Sequence, residues 1–216
     1  MTTSTLHSPA VRTLLDRLFA AAARDDDAPP RAVHGGIASA TARERADAMA
    51  DLYLPISARG GDLLYALVRA CRPETVVEFG TSYGISTLYL AAAVADNGTG
   101  HVYGTELSAT KVAAARANLA EAGLGDHVTI LAGDARETLA SLPGPIGFVL
   151  LDGWKDLCLP VLRSLEPRLV PGALVVADDV TMDSMAGYLD HVRDPANGYV
   201  TVEFPVEDGM EISCRS

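Results

Sequence analysis

The feature that most constrains the fold of this chain is a regular alternation of short apolar runs with helical stretches, which begins at Thr75. Alternation of strands with helices is typical of a parallel sheet that is covered by helices on both faces. Gly133-Asp134 and Pro171-Gly172 fall at the junctions, where turns are expected. The pattern therefore predicts an α/β fold with a doubly wound, mostly parallel sheet. The five predicted strands are Thr75–Phe79, His101–Thr105, Val128–Leu131, Ile146–Leu151 and Ala173–Ala177.

Two further β-like runs, Tyr199–Phe204 and Met210–Cys214, lie near the end of the chain. The short segment Glu207-Asp208-Gly209 joins them, and a short turn cannot make the crossover that parallel strands need. We therefore expect an antiparallel C-terminal strand pair at the edge of the sheet, which brings the predicted sheet to seven strands.

Apolar residues at helical spacing predict helices between the strands and also before the first of them. The N-terminal helices, within residues 1–55, fit either a lid over the sheet or an arm that pairs two subunits in a homodimer, and the sequence leaves both open. The predicted helices are Val11–Ala23, Ser39–Leu52, Gly61–Cys71, Ser86–Val94, Ala109–Ala122, Ala135–Ser141, Leu157–Leu169 and Met182–Val192.

The chain is strongly acidic, with a formal net charge of −11 and a pI near 4.8. A protein that binds nucleic acid through its phosphates needs a stripe of Lys and Arg, and the sequence has none. The charge balance therefore argues against a nucleic-acid partner and favours a small-molecule substrate. A length of 216 residues suits one domain with a sizeable core.

Three cysteines, Cys71, Cys158 and Cys214, are widely spaced and stand in apolar surroundings. This spacing is typical of reduced, buried thiols and not of a disulfide framework or a zinc knuckle. The sequence has neither the charged-then-apolar pattern of a signal peptide nor an apolar stretch long enough to span a bilayer. We therefore expect a cytoplasmic protein with no membrane partner.

Acidic residues follow two of the predicted strands. Asp152 comes after Ile146–Leu151, and Asp178 and Asp179 come after Ala173–Ala177. Carboxylates at the carboxyl ends of neighbouring parallel strands repel one another, and their pKa values rise unless a cation lies between them. These three residues therefore predict a site for Mg²⁺ or another divalent cation.

Lys155 lies three residues beyond Asp152 and therefore close to the predicted ion. A neighbouring cation and partial burial lower the pKa of an amine, so Lys155 is a candidate base that takes a proton from a substrate hydroxyl. The alternative is a lysine at a helix start that only pairs with Asp152. Asp179 also has an alternative role, because an Asp before a helix that starts near Met182 is a common N-cap.

A glycine loop from Gly80 to Gly84 follows the first predicted strand and opens a helix. Glycines let a ligand approach the backbone, and a helix N-terminus offers unpaired N–H groups. The spacing lacks the full Gly-x-Gly-x-x-Gly of pyrophosphate binders, which favours a nucleoside without phosphate. Glu106, after the second strand, could accept both ribose hydroxyls, and Asp134, before Ala135, could accept a hydrogen bond from an adenine amino group. Either acid could instead only cap the helix that follows it.

Together these residues resemble the class I S-adenosylmethionine-dependent methyltransferases, and more narrowly the metal-dependent, catechol O-methyltransferase-like enzymes that act on small molecules. The resemblance covers Ile56 to Arg215. It implies a Rossmann-like methyltransferase domain at 56–216 that follows the helices of 1–55. Its most specific segments are Val77-Glu78-Phe79-Gly80 with Tyr83-Gly84-Ile85-Ser86, Leu151-Asp152-Gly153-Trp154-Lys155-Asp156 and Ala177-Asp178-Asp179, and Asp208-Gly209-Met210-Glu211 is a smaller match.

The resemblance implies an S-adenosylmethionine-dependent O-methyltransferase (EC 2.1.1) with a divalent metal. Lys155 matches the catalytic lysine beside Asp152, and Glu211 matches the acid that contacts the second hydroxyl of a catechol. The magnesium ligands would be Asp152, Asp178 and Asp179. The cofactor-binding residues would be Ile56, Ser57, Glu78, Gly80, Tyr83, Gly84, Ser86, Glu106, Asp134, Ala135, Asp152 and Trp154, with Ile56 and Ser57 over the methionine part and Trp154 beside the adenine.

Asp178-Asp179 stands where the animal catechol enzymes have Asp-Asn, and a similar pair occurs in sugar O-methyltransferases of antibiotic pathways. The acceptor could therefore be a catechol-like molecule or a hydroxylated natural product. The main alternative is a metal-independent N- or sugar O-methyltransferase. An NAD-dependent short-chain oxidoreductase is disfavoured because the chain has no Tyr-x-x-x-Lys pair. A nucleoside-binding regulator without catalytic activity is the non-enzyme alternative.

Overall fold

The structure is a computed structural model that describes residues 4–27, 29–33, 35–142 and 144–216. Residues 1–3, 28 and 34 of the predicted N-terminal segment lie outside the described residues, as does residue 143. Seven strands form one sheet: β1 Thr75–Phe79, β2 His101–Glu106, β3 Val128–Ala132, β4 Ile146–Leu151, β5 Leu169–Asp178, β6 Tyr199–Phe204 and β7 Met210–Arg215.

The strand order is β3-β2-β1-β4-β5-β7-β6. The first five strands pair in parallel, whereas β7 pairs antiparallel with both β5 and β6. The interior strand β1 is buried along its whole length, as expected for a strand with helices on both faces of its sheet. The predicted fold class, a doubly wound and mostly parallel seven-stranded sheet with an antiparallel C-terminal pair, is confirmed.

The described part of the chain has eight α-helices, and all of them except α2 pack on the two faces of the sheet. The face that packs on α3 and α4 also carries α1 and α5, and the opposite face packs on α6, α7 and α8. The helices are α1 Pro9–Ala22, α2 Ala42–Ala48, α3 Ala58–Cys71, α4 Ile85–Asn97, α5 Ala109–Glu121, α6 Ala135–Thr138, α7 Cys158–Leu165 and α8 Ala186–Arg193.

Four of the eight described helices, α1, α2, α3 and α6, begin where a capping side chain accepts a hydrogen bond from one of their first N–H groups. Ser8 caps α1 ahead of Pro9, and Thr41 and Glu44 form a capping box on α2. This box makes α2 start at Ala42, so α2 is shorter than the predicted helix Ser39–Leu52. The segment from Met49 to Ile56 leaves the helix and runs across the ends of the strands.

Strand β5 is longer than predicted. Pro171-Gly172, which we expected to be a turn before the strand, lies inside β5 at an irregularity of its pairing with β4. Pro removes a ladder hydrogen bond, and a bulge tolerates that loss. Within the described residues, no helix is both long and apolar enough to cross a membrane.

The contact between α3 and α4 gives a test of the packing. Gly61 of α3 faces Tyr89 of α4, and a Cβ added at Gly61 would overlap the Tyr89 ring. Overpacking of this kind costs about 1–3 kcal/mol. We therefore expect Gly61→Ala to lower the free energy of unfolding by that amount in urea denaturation.

Gly187→Ala in α8 is the matched control, because a Cβ there meets only Leu159, at 3.8 Å. The higher helix propensity of alanine should raise stability by about 0.5–1 kcal/mol at this position. A stabilising effect of both substitutions would show that α3 and α4 are not packed as described.

Candidate functional site

A cavity of about 320 Å³ lies at the carboxyl ends of β1, β2, β4 and β5, where the loops after the strands meet the N-terminal segment. Carboxyl ends of parallel strands at a change in strand order are the usual place for a ligand site in such sheets. The predicted site residues in its lining are Ile56, Gly80, Tyr83, Ser86, Glu106, Asp134, Ala135, Asp152, Trp154, Lys155 and Asp179. The structure therefore brings most of the predicted residues together.

The glycine loop needs glycine for steric reasons. Gly80 has a φ of +97°, and a Cβ there would lie 2.6 Å from the backbone nitrogen of Gly153. Gly84, also in the left-handed region, is the N-cap residue of α4 and provides no side-chain cap. The backbone of the loop can therefore come close to a ligand, and the first N–H groups of α4 are not capped by a side chain.

Glu78 lies behind this loop and not in the cavity lining. It is fully buried, and its carboxylate accepts hydrogen bonds from the hydroxyls of Thr81 at 2.7 Å, Ser86 at 2.7 Å and Thr87 at 2.6 Å. Burial raises the pKa of Glu78 to about 7, although the three hydrogen bonds oppose that rise. The contacts of Glu78 thus organise the loop and the start of α4.

Glu106 lines the cavity and also fixes the backbone around it. One carboxylate oxygen accepts from the Ser82 N–H at 2.9 Å and the other from the Ser108 N–H at 2.7 Å. Asp134 accepts from the Arg136 N–H at 2.9 Å and forms an ion pair with the Arg136 guanidinium, which lowers the pKa of Asp134. Asp134 therefore has the capping role that the sequence allowed, whereas Glu106 binds the N–H of Ser108, the N-cap residue of α5, and does not cap that helix. Both acids line the cavity.

Asp152, Asp178 and Asp179 form a compact acidic cluster. One ligand oxygen from each lies within 4.8 Å of the others, which is a spacing that could hold a metal ion. Asp178 is only 6% exposed. Burial, together with the charges of Asp152 and Asp179, raises its pKa to about 8. Oxygen-only ligands of this kind suit a hard divalent cation such as Mg²⁺.

Lys155 lies directly against the acidic cluster. Its Nζ is 2.9 Å from an oxygen of Asp152 and 3.0 Å from an oxygen of Asp179. Burial disfavours the charged amine, but the attraction of these two carboxylates outweighs it and raises the pKa of Lys155. The lowered pKa that we predicted for Lys155 assumed a neighbouring cation. In the chain without that cation, the pKa of Lys155 is raised instead. The alternative pairing of Lys155 with Asp152 is present, and that pairing holds the amine at the cluster.

The structure does not support the alternative N-cap role of Asp179. The 3₁₀ turn after β5 has Met182 as its N-cap, and only the backbone carbonyl of Asp179 contacts the Met182 N–H. Asp179 has a φ of +55°, a left-handed conformation that Asp tolerates better than most residues. This turn keeps its carboxylate at the rim of the cavity, 30% exposed.

Trp154 is half-buried in the lining and is covered by Arg45 from α2. The Arg45 guanidinium lies 4.9 Å from the Trp154 ring centre, and its two terminal nitrogens are each 2.9 Å from the Asp156 carboxylate. Arg45 thus contacts the residues on both sides of Lys155. Trp154 therefore lies in the wall of the cavity and not in the hydrophobic core.

The N-terminal segment contributes a wall that the sequence did not identify. The Ser82 hydroxyl donates to the Tyr53 carbonyl at 2.6 Å, and the Tyr83 hydroxyl donates to the Ala50 carbonyl at 2.9 Å. The rings of Tyr53 and Tyr83 stack with centres 4.0 Å apart. These contacts hold the segment against the glycine loop. The additional lining residues are Ala42, Ala46, Met49, Tyr53, Leu54, Pro55, Lys111, Leu157 and Met182, among others.

Glu211 does not reach the cavity in which it was predicted to contact the acceptor. It is 1% exposed, outside the cavity lining, and its carboxylate accepts from Arg193 at 2.7 and 2.9 Å and from the Thr201 hydroxyl at 2.8 Å. The hydrogen bonds of Arg193 hold the pKa of Glu211 down against burial. The site that the structure forms therefore does not include Glu211. Ser57, Gly84, Glu78 and Asp178 also lie outside the lining, and Ser57 instead caps α3 through the Gly60 N–H.

The chain is similar in sequence to known methyltransferases. Residues 77–180 match the family model of a methyltransferase domain. A catechol O-methyltransferase from Mycobacterium tuberculosis is 32% identical over 128 residues, which cover 59% of this chain and 57% of that relative. The chain therefore spans less than two thirds of this relative's length.

Solved structures share the fold. The O-methyltransferase from Bacillus cereus in complex with S-adenosylhomocysteine superposes with a TM-score of 0.70 at 18% identity, over 94% of this chain and 91% of that one. The O-methyltransferase TomG from Streptomyces achromogenes, involved in tomaymycin synthesis and solved with S-adenosylmethionine, gives a TM-score of 0.67 at 22% identity, over 94% and 98%. The chain has the class I methyltransferase fold and is related to the catechol O-methyltransferases.

The buried carboxyl of Glu78 predicts a pH dependence of stability. The folded chain holds this proton up to about pH 7, whereas the unfolded chain releases it near the ordinary value of 4.5. The folded state therefore binds more protons between these values, and Glu78 lowers stability as the pH rises through that window, by roughly 3 kcal/mol in total. We expect Glu78→Gln to remove this loss.

The measurement is urea denaturation of the wild type and Glu78→Gln at pH 5, 6, 7 and 8. The stability difference should change in favour of the variant as the pH rises. A difference that stays constant from pH 5 to pH 8 would contradict the raised pKa.

The contacts of Arg45 predict that α2 and residues 154–157, which include Lys155, unfold locally together. Loss of a partly exposed ion pair costs about 1 kcal/mol, which corresponds to about fivefold faster exchange of the amides it protects. We expect Arg45→Ala to raise hydrogen exchange in residues 154–157 by that factor and to increase acrylamide quenching of Trp154, the only tryptophan. Arg17→Ala is the control, because it breaks a bidentate pair with Glu121 at 2.7 and 2.8 Å that does not touch the cavity. Equal effects of the two variants on residues 154–157 would disprove the link.

Proposed function

We propose that this chain, a class I methyltransferase relative of the catechol O-methyltransferases, transfers the methyl group of S-adenosylmethionine to a hydroxyl of a small molecule. The observation that carries the proposal is the meeting of the glycine loop, Glu106 and the cluster of Asp152, Asp178, Asp179 and Lys155 at one cavity. A donor site and an acceptor-activating site are thus adjacent.

We assign the donor to the side of the cavity formed by the glycine loop. Gly80 and Tyr83 would lie along the donor, and Glu106 would accept from its ribose hydroxyls. Asp134 and Ala135 would face the adenine, with Trp154 beside it. Ile56, 2% exposed at the end of the segment from Met49, would contact the methionine part.

The acidic cluster is assigned as the site of a divalent cation, preferably Mg²⁺. Asp152, Asp178 and Asp179 fit such an ion because three carboxylates with oxygens within 4.8 Å need more positive charge than one lysine supplies. The raised pKa of Asp178 supports the same conclusion. When bound, the cation would supply Lewis-acid stabilisation of the ionising acceptor hydroxyl and would lower the pKa of the nearby amine.

Lys155 is assigned as the base. Asp152 and Asp179 hold its Nζ in place, and the neutral amine would take the proton of the acceptor hydroxyl. The acceptor oxygen then forms a bond to the methyl carbon while the carbon–sulfur bond breaks, and the electron pair of that bond stays on sulfur. The products are the methyl ether and S-adenosylhomocysteine, and the cavity supports the in-line approach by holding both reactants together.

The acceptor is assigned as a hydroxylated small molecule with an apolar body. Leu54 and Met182, 47% and 48% exposed, both line the cavity. A catechol-like molecule or a hydroxylated natural product has this character. The location in the cytoplasm and the pairing into a homodimer stay predictions.

A metal-independent methyltransferase is the second candidate function. The specific observation in its favour is the ion pairing of Lys155 with Asp152 and Asp179, which partly neutralises the cluster without a metal. Dependence of turnover on a divalent cation separates the two candidates.

The test is a turnover screen with S-adenosylmethionine and a panel of catechols, hydroxycinnamates and hydroxylated natural-product scaffolds, each with Mg²⁺ and with chelator. We expect turnover with Mg²⁺ and its loss in chelator. Asp152→Asn should lower turnover by two orders of magnitude or more, and Lys155→Met by roughly 10²–10⁴-fold as for loss of a general base. Calorimetry should show that S-adenosylhomocysteine affinity changes by less than about threefold in either variant, since neither changes the glycine loop.

Asp183→Asn is the control, because Asp183 is an exposed acid after β5 outside the cavity lining. Turnover that persists in excess chelator would favour the metal-independent enzyme. Binding of S-adenosylhomocysteine without turnover on any acceptor would support a regulator instead, and the absence of binding would refute the proposed donor.

A further inference from the structure

Lysine is rare in this chain, and both lysines lie in the wall of one cavity. The seventeen Lys and Arg residues include only two lysines, Lys111 and Lys155, and both line the cavity described above. Every other basic position has arginine. Lysine differs from arginine in its compact, strongly hydrated ammonium on a flexible stem. Its use at two positions of one cavity, in a chain where every other Lys or Arg position has arginine, indicates that an ammonium is needed there.

The two lysines differ in what surrounds them. Lys155 has two carboxylate partners, whereas Lys111 Nζ has no hydrogen bond or ion pair with any residue that the structure describes. Lys111 is nevertheless only 5% exposed. Its one described charge contact is with the face of the Tyr83 ring, whose centre lies 5.9 Å from Nζ.

The position of Lys111 is also unfavourable for the fold. It is the third residue of α5, where the positive end of the helix dipole disfavours a cation. Burial lowers the pKa of Lys111, and the charges of Glu106 and Asp25 oppose only part of that effect. A buried ammonium without a partner, at the wrong end of a helix, does not stabilise the chain, so a ligand that needs a donor is the more direct explanation.

The neighbouring Glu106 indicates which ligand group this is. Its carboxylate can accept hydrogen bonds from a ribose diol but can donate none. The hydroxyl oxygens of an enclosed diol also need donors, because buried polar atoms are rarely left without partners. Lys111 lies in the same wall, and no described residue accepts a hydrogen bond from its ammonium. Its N–H groups can therefore donate to a ligand.

We propose that Lys111 binds the donor nucleoside by hydrogen bonding from its ammonium to a ribose hydroxyl oxygen, while Glu106 accepts from the ribose hydroxyls. Glu106 and Lys111 together would then recognise the ribose by both its donor and its acceptor groups. This inference rests on the proposed donor and is independent of the chemistry at Asp152 and Lys155.

Calorimetric titration of Lys111→Met tests the proposal, with S-adenosylhomocysteine, adenosine, 2′-deoxyadenosine and 3′-deoxyadenosine as ligands. The variant should bind S-adenosylhomocysteine and adenosine about tenfold or more weakly than the wild type. It should lose less than about threefold for one of the two deoxynucleosides, because that ligand lacks the contacted hydroxyl. Arg116→Met is the control on the same helix, since Arg116 bonds the Ile130 carbonyl and does not line the cavity.

Thermal unfolding of the variant without ligand gives a second readout. Lys111→Met should raise the unfolding midpoint, because it removes a buried, unpartnered charge, so affinity and stability should change in opposite directions. Unchanged affinity, or an equal loss for adenosine and both deoxynucleosides, would overturn the assignment to the ribose. A lowered unfolding midpoint together with weaker binding of every ligand would show a structural role and would also overturn it. If the wild type bound neither S-adenosylhomocysteine nor adenosine, the proposed function itself would fail first.

Discussion

The repulsion between three carboxylates at the ends of β4 and β5 is the constraint on which the site depends. Parallel pairing of these strands brings one carboxylate oxygen each of Asp152, Asp178 and Asp179 within 4.8 Å of the others. Asp178 is almost fully buried. Such a cluster needs positive charge nearby. In the chain alone, Lys155 provides it through two ion pairs, and the same need makes the cluster suited to a divalent cation. The groups that balance the charge of the cluster in the chain are therefore the same groups to which the proposed chemistry is assigned.

Much of the fold follows from local patterns in the sequence. The strands β1 and β4 begin and end as predicted, because each is a short, mostly apolar segment that lies between a proline or glycine before it and a glycine after it. The acids after β4 and β5 were predicted to meet because carboxyl ends of parallel strands share one edge of a sheet. Strand β5 was predicted too short because Pro171-Gly172 forms an irregularity inside the strand, and the same dipeptide more often marks a turn.

The rest of the site depends on contacts that no local pattern encodes. Arg45 and Asp156 are 111 residues apart, and their ion pair depends on how α2 crosses the ends of the strands. Glu211 was expected at the acceptor, but its side chain pairs with Arg193 of α8, which depends on the face of β7 from which it projects. A shift of one residue in a strand reverses that face, so a match in sequence does not determine it. The two lysines were a signal in the sequence that could have identified Lys111, because both stand out against fifteen arginines.

The proposed chemistry follows from one feature, a divalent cation held by the acidic cluster beside the methyl donor. The most direct measurement is a crystal structure of the chain with Mn²⁺ and S-adenosylhomocysteine, read through the anomalous difference map. We expect one strong manganese peak between Asp152, Asp178 and Asp179, with the nucleoside against Glu106. A map without a peak at this cluster, in which Lys155 Nζ still joins Asp152 and Asp179, would contradict it.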